Sequence, residues 1–308
     1  MRRRTKKGTA MKAIKGLAAA TSIIALTLTL GACGGSDSGS DSDNSTLQKA
    51  IDDGKISVGF AGEAPYSFEK DGELQGASVA MAKKIFKELG VDDIEGVNTE
   101  FGSLIPGLNA DRFGAISAGM SILPDRCEQA AFGNPEFMYT TALMTKEGKQ
   151  DGMKDMQDVK DKGLKLATMS GAIETTVYAK ELGIKTQEVG TPQDGMDAVT
   201  TGRADVFALT GISLNWMAKN NPDAGVEVSD SFVQEVDGVP QVGAGATVFR
   251  TDDTELRDAW NKELEKIVSD EDKYLDVVGD YGFTKEERPD GSITTDQLCK
   301  GDLPGAQS

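Results

Sequence analysis

Arg126 stands just after Pro124-Asp125, at a predicted helix start. A guanidinium can grip a carboxylate through two parallel N–H bonds, which a lysine cannot do. A surface arginine paired with Asp125 or Glu128 is the plainer alternative. Ser170-Gly171-Ala172-Ile173 precedes a second helical pattern, and free backbone N–H groups at a helix start favour an anion. Ser170 also suits an N-cap, and Glu174 in the first turn either touches a bound molecule or complements the helix dipole. Glu63, Tyr66 and Phe68 follow one predicted strand and Phe101 lies at another. Aromatic faces attract a delocalised cation, and Glu63 can accept hydrogen bonds from its N–H groups. Glu63 reads equally as a solvated loop residue, and Phe68 as core.

The 308 residues include no histidine, so acid–base work would fall to carboxylates such as Glu63 or Glu174. The sequence contains no Ser/His/Asp set, no Cys beside a His and no metal-ligand cluster, and it implies no catalytic residue, metal or cofactor. The net charge is −17, and seven basic residues but no acidic one precede Cys33, so the remainder is more acidic still. Such a body repels nucleic acid and anionic membrane surfaces, or simply presents a soluble, salt-tolerant exterior.

The elements that must position these residues alternate between strand and helix. Lys55–Phe60 reads as a strand, and Val79, Ala82, Ile85, Phe86 and Leu89 follow at helical spacing with Gly90 as a stop. Thr99–Phe101 is expected as a short strand, Ser103–Asn109 as a helix capped by Ser103, and Ala115–Ala118 as a strand. Lys165–Thr168, Ile173–Leu182, Gln193–Thr201, Val206–Leu209 and Thr254–Val268 continue the alternation. The pattern is that of an α/β protein with mostly parallel sheets.

Before this body, a basic stretch leads into the apolar run Leu17–Leu30 and then Leu30-Gly31-Ala32-Cys33. That order is a secretory signal, and the run is short for a permanent span. Met11-Lys12 opens a shorter version of it. The ending resembles a bacterial lipobox, which implies cleavage before Cys33 and a diacylglycerol on its thiol. Gly34–Ser45 has no apolar residue and reads as a flexible tether.

Three segments carry a family resemblance. GFAGEAPYSFEKDGELQGASVAMAKKI, FGSLIPGLNADRFGAISAGMSILPDRCEQAAFGNPEF and DGMDAVTTGRADVFAL together resemble the family 3 (polar amino acid type) solute-binding proteins of ABC importers, over roughly residues 47–285. The run from GFAGEAPY through TEFGSLIPGL to DRCEQ is most similar to the ectoine/hydroxyectoine-binding branch. The resemblance implies a periplasmic-binding-protein-like type II fold, two lobes with a hinge of two crossing strands near Thr140–Thr145 and Gly243–Phe249. It divides the chain into a lipoprotein signal peptide (1–32), a tether (33–46), a first lobe (47–143 and 243–308) and a second lobe (144–242). It further implies a monomer held on the extracellular face of the membrane, delivering a small zwitterion to a permease and its ATPase.

The ligand-contact set it implies is Glu63, Tyr66, Phe101, Gly119, Arg126, Ser170, Ala172, Ile173, Glu174 and Thr210, with Arg126 on the ligand carboxylate. Thr210 stands where amino-acid binders of the family carry an Asp for the ligand's α-ammonium. A buried ammonium needs a carboxylate, so this departure points to a cyclic amidinium such as ectoine. Ser121 departs the other way, replacing an aromatic usual in the ectoine branch and leaving a box of two walls. A polar amino acid as ligand is the alternative; a dehydratase-like enzyme on the same fold and a receptor-presenting module are the others. With Cys33 lipidated, Cys127 and Cys299 remain in an oxidising compartment, and a tail folded back on the first lobe would let them pair; the alternative is two unrelated cysteines.

Overall fold

In the computed structural model, residues 45–304 are described; the signal peptide, Cys33 and nearly all of the tether lie outside them. Two sheets organise the chain. The first runs Asp93–Asn98, Lys55–Phe60, Ala115–Ser121, Gly243–Phe249, Ala131–Phe132, with Phe137–Tyr139 also on Gly243–Phe249. The second runs Thr186–Val189, Leu166–Met169, Val206–Thr210, Thr141–Lys146, Val226–Val228.

Neither sheet is mostly parallel. In each, three parallel strands meet an antiparallel one: Gly243–Phe249 lies against Ala115–Ser121, and Thr141–Lys146 against Val206–Thr210. Each antiparallel strand is the one the chain enters directly after leaving the other sheet, so it arrives from the opposite end.

The strand ranges place the passages between the sheets at the edges of the expected crossings. Thr141–Lys146 lies wholly in the second sheet and Gly243–Phe249 wholly in the first, so the chain crosses at Thr140 and at Gln241–Val242. The first crossing comes before the boundary expected at residue 143, because Ala142 and Leu143 already pair with Leu209 and Ala208.

The strand expected at Thr99–Phe101 is instead Asp93–Asn98, an edge strand paired only with Lys55–Phe60 among the described residues. Phe101–Ser103 is a single 3-10 turn that runs into the helix Leu104–Asn109, and the Ser103 side chain makes no capping bond.

The first-lobe core forms where the Ala77–Glu88 helix buries Val79, Met81, Ile85 and Phe86. These pack with Trp260 and Leu264 of Thr254–Val268 and with Tyr274 and Val278 of Glu271–Val278. Phe86 and Trp260 sit 5.2 Å apart by ring centroid, so the C-terminal helices close over this lobe. The following Thr295–Lys300 helix is joined to the Pro124–Cys127 turn by a Cys127–Cys299 disulfide, with Cα atoms 5.6 Å apart.

Candidate functional site

Between the two sheets lies a cavity with about 280 Å³ of atom-free space, part of it open to solvent. Strand ends deliver its lining. Glu63 and Tyr66 come from the turn after Lys55–Phe60, and Gly119 and Ser121 from the end of Ala115–Ser121. Met169, Ala172, Ile173 and Glu174 follow Leu166–Met169, and Leu209 and Thr210 end Val206–Thr210. Phe101 completes it. Clefts at the carboxyl ends of parallel strands are where such folds hold small ligands.

Of the residues expected to bind, all but Arg126 and Ser170 line this space. Arg126 is buried behind it, excluding the surface-arginine alternative, and no ion pair joins it to Asp125 or Glu128. Its Nη1 donates to the Ser121 carbonyl at 2.7 Å and its Nη2 to the Gly171 carbonyl, on the other lobe, at 2.6 Å. Burial lowers its pKa to about 10.

Ser170 departs further from expectation. It is exposed, its hydroxyl donates to Glu188 at 2.8 Å, and its amide donates to Val189. The Ala172 amide is likewise spent on Met169. The Ser170 and Ala172 amides are thus used by backbone carbonyls, and Glu174–Ala179 begins as a wide π-type turn. Gly171 carries φ +78°, and a side chain there would come within 2.9 Å of the Gly102 Cα. The lobes therefore touch backbone to backbone at these two glycines.

The two acids are buried rather than solvated. Glu63 accepts from the Ser213 hydroxyl at 2.7 Å and lies 3.4 Å from the Thr210 hydroxyl, both across the cleft. Burial raises its pKa to about 7, against those two bonds. Glu174 is 1 % exposed, neither carboxylate oxygen has a hydrogen-bond partner, and burial raises its pKa to about 8. An unpaired buried carboxylate is costly, and the same group becomes favourable once a donor reaches it.

Tyr66 lines the cavity and is also core, edge-on to Phe137, Tyr139 and Phe283 at 5.4–5.7 Å. Gly119 sits at φ +56°, where a side chain would strike the Tyr66 ring, and its carbonyl accepts from the Tyr139 hydroxyl. Phe68 is not core: it is half-buried and faces Trp216 of the second lobe at 6.0 Å. Met169, Leu209 and Ser213 were not foreseen; Ser213 carries no sequence signal, since a serine inside a helical pattern is ordinary. Among the described residues no His/Cys/Asp/Glu group forms a metal site, and no helix is long and apolar enough to cross a membrane.

Two mixed sheets joined by two short crossings, with buried ionisable side chains gathered where the lobes meet, define a two-lobe solute-binding protein. The model of the bacterial extracellular solute-binding proteins, family 3, matches residues 56–275, and the chain belongs to that family. It is 34 % identical over 265 residues to a probable amino-acid ABC transporter periplasmic-binding protein of Sinorhizobium fredii, covering 82 % of this chain and 86 % of that one. Among solved structures, EhuB in complex with hydroxyectoine is 31 % identical with a TM-score of 0.73, covering 82 % of this chain and 97 % of EhuB. An ancestral arginine-binding protein bound to arginine is 27 % identical with a TM-score of 0.64, covering 74 % and 98 %.

Proposed function

We propose that this protein is the binding subunit of an ABC importer and captures ectoine or 5-hydroxyectoine between its lobes. One observation carries the reading. A buried arginine and two buried carboxyls, Arg126, Glu63 and Glu174, come together where the lobes meet: Glu63 and Glu174 line the cavity beside the rings of Tyr66 and Phe101, and Arg126 adjoins it through Ser121, Gly171 and the Phe101 ring. The ligand carboxylate would turn the Arg126 guanidinium away from its carbonyl acceptors, since a charge-assisted pair is the stronger bond. The amidinium N–H groups would satisfy Glu174 and share Glu63 with Ser213. Thr210 offers no carboxylate for an α-ammonium. The likeness to EhuB with hydroxyectoine supports the same choice.

A second reading rests on the charge count. Two buried carboxyls face one arginine, and a cationic ligand that draws both into the charged form would leave them in excess over Arg126, which suits a cation such as arginine. The likeness to an arginine-bound ancestral protein runs parallel to it. In either case the protein would be tethered outside the membrane by a lipid on Cys33 and pass its ligand to the permease and ATPase.

Calorimetry with ectoine, hydroxyectoine, glutamine and arginine separates the two. Heat from ectoine or hydroxyectoine at micromolar concentration is the expected outcome. Tight binding of arginine or glutamine, with no heat from either compatible solute, replaces it with the amino-acid reading.

A further inference from the structure

The helix Gly211–Asn220 leaves the second-lobe strand Val206–Thr210 and presents two side chains, three residues apart, to the first lobe. Residues at i and i+3 share one helix face. Ser213 is fully buried and donates to Glu63 at 2.7 Å, while the Trp216 ring lies 6.0 Å from that of Phe68. Both targets belong to one short turn of the first lobe, residues 63–68, itself closed by the Ser67 amide on the Glu63 carbonyl at 2.9 Å. One face of one helix therefore meets one turn through a polar contact inside and an aromatic contact at the rim.

We propose that Ser213 is a positioning residue: seated by the Trp216–Phe68 contact, its hydroxyl orients the Glu63 carboxylate and holds it in the charged form when the lobes close. Glu63 has no stronger side-chain donor than Ser213; Thr210 is at 3.4 Å. A hydroxyl can donate to a carboxylate and gives the neutral acid less, so this bond opposes the burial that favours protonation. The titratable groups facing Glu63 are Tyr66 on its own turn, Tyr139 on the strand beside it and Glu174 on the opposing lobe. The tyrosines stay neutral and Glu174 is another acid, so none of them supplies a positive charge in Ser213's place. Arg126 acts on Glu174 and Tyr139. The inference deepens the proposed site, because a Glu63 held ionised is what a cationic ligand group requires.

The test reads Glu63 directly and needs no ligand. With glutamate carboxyl carbons labelled and the Glu63 resonance assigned through Glu63→Gln, NMR titration gives its protonation midpoint in wild type, Ser213→Ala and Ser213→Thr. Loss of the hydroxyl should raise the midpoint, with proton affinity up about tenfold, and Ser213→Thr should restore it. An unmoved midpoint in Ser213→Ala overturns the proposal, as does an equal rise in both variants, which would mark a packing defect. Hydroxyectoine calorimetry on the same proteins should lose about tenfold in affinity for Ser213→Ala and recover in Ser213→Thr. A wild type that binds no compatible solute sinks the ectoine reading alone, and the titration still decides the part played by Ser213.

Discussion

The Arg126 guanidinium carbon lies 5.4 Å from the ring centroid of Phe101. The cation proposed to meet the ligand's carboxylate and the aromatic proposed to meet its amidinium lie against each other. Phe101 thus gives one face to Arg126 and borders the cavity as well. Arg126→Ala should lose roughly 3–5 kcal/mol of hydroxyectoine binding, because a ligand carboxylate would be left unpaired in a closed cleft. Arg126→Lys should recover little of it, since one ammonium cannot make two parallel bonds. Phe101→Leu should cost about 1–2 kcal/mol. Calorimetry that finds Arg126→Ala binding as tightly as wild type removes Arg126 from the ligand site.

Glu63, Glu136 and Glu174 are all buried, and burial raises their pKa values from 4.5 to about 7, 7 and 8. A folded state with raised pKa values binds more protons than the unfolded chain, so stability falls as pH rises from about 4.5 through these values. The thermal midpoint of the ligand-free protein should therefore drop between pH 5 and pH 8.5 at fixed ionic strength. Glu136 is clear of the cleft: one oxygen accepts the Thr247 amide at 2.8 Å and the other has no partner. Glu136→Gln keeps the acceptor and removes the titration, so its slope against pH should be shallower. Scanning calorimetry showing the same slope in both proteins would contradict this.

The Thr254–Val268 helix was legible from end to end because Leu256, Trp260, Leu264 and Ile267 recur at helical spacing over fifteen residues. Asp93–Asn98 was not: as an edge strand it buries only Ile94 fully, so no alternation marks it, and the aromatic Phe101 drew the expectation onto the turn beyond. The cleft residues came from the family resemblance, which carries residue types onto positions, and their burial was not visible in the sequence. Nor were their partners. Gly171 accepting from Arg126, and Ser213 donating to Glu63, span 45 and 150 residues and exist only through the approach of the lobes.

Cys33 lies outside the described residues, and its role rests on the Leu30-Gly31-Ala32-Cys33 ending. The mature protein extracted from membranes should begin at Cys33, with a mass exceeding that chain by a diacylglycerol. Cys33→Ala should leave the precursor uncleaved. A water-soluble product that starts elsewhere and keeps an unmodified Cys33 would refute the anchor.

The Cys127–Cys299 bond joins positions 172 residues apart and ties the C-terminal helix to the turn bearing Arg126. Closing so long a loop restricts the unfolded chain strongly, and Cys299→Ser should cost roughly 3–5 kcal/mol in stability. Hydroxyectoine affinity should fall less, because neither cysteine lines the cleft. Thiol titration of the unfolded, unreduced mature protein should find no free Cys127 or Cys299. Two titratable thiols, or an unchanged denaturation midpoint in Cys299→Ser, would count against the bond.

The proposed choice of ligand turns on Thr210. Its hydroxyl sits 3.4 Å from Glu63 at the end of a second-lobe strand, where an acid would face the same space. Thr210→Asp would place a third carboxyl beside Glu63, and like charges at that range raise one another's proton affinity. An α-ammonium can bridge two such carboxylates, whereas a ring amidinium spreads its charge and gains less from the added one. Thr210→Asp should therefore shift the affinity ratio toward arginine and away from hydroxyectoine by about tenfold. Thr210→Asn matches aspartate in shape without its charge and should leave the ratio near wild type. Competition calorimetry with both ligands on all three proteins measures it. A ratio that moves equally in the Asp and Asn variants would assign the effect to shape, and a ratio that moves in neither would remove Thr210 from ligand selection.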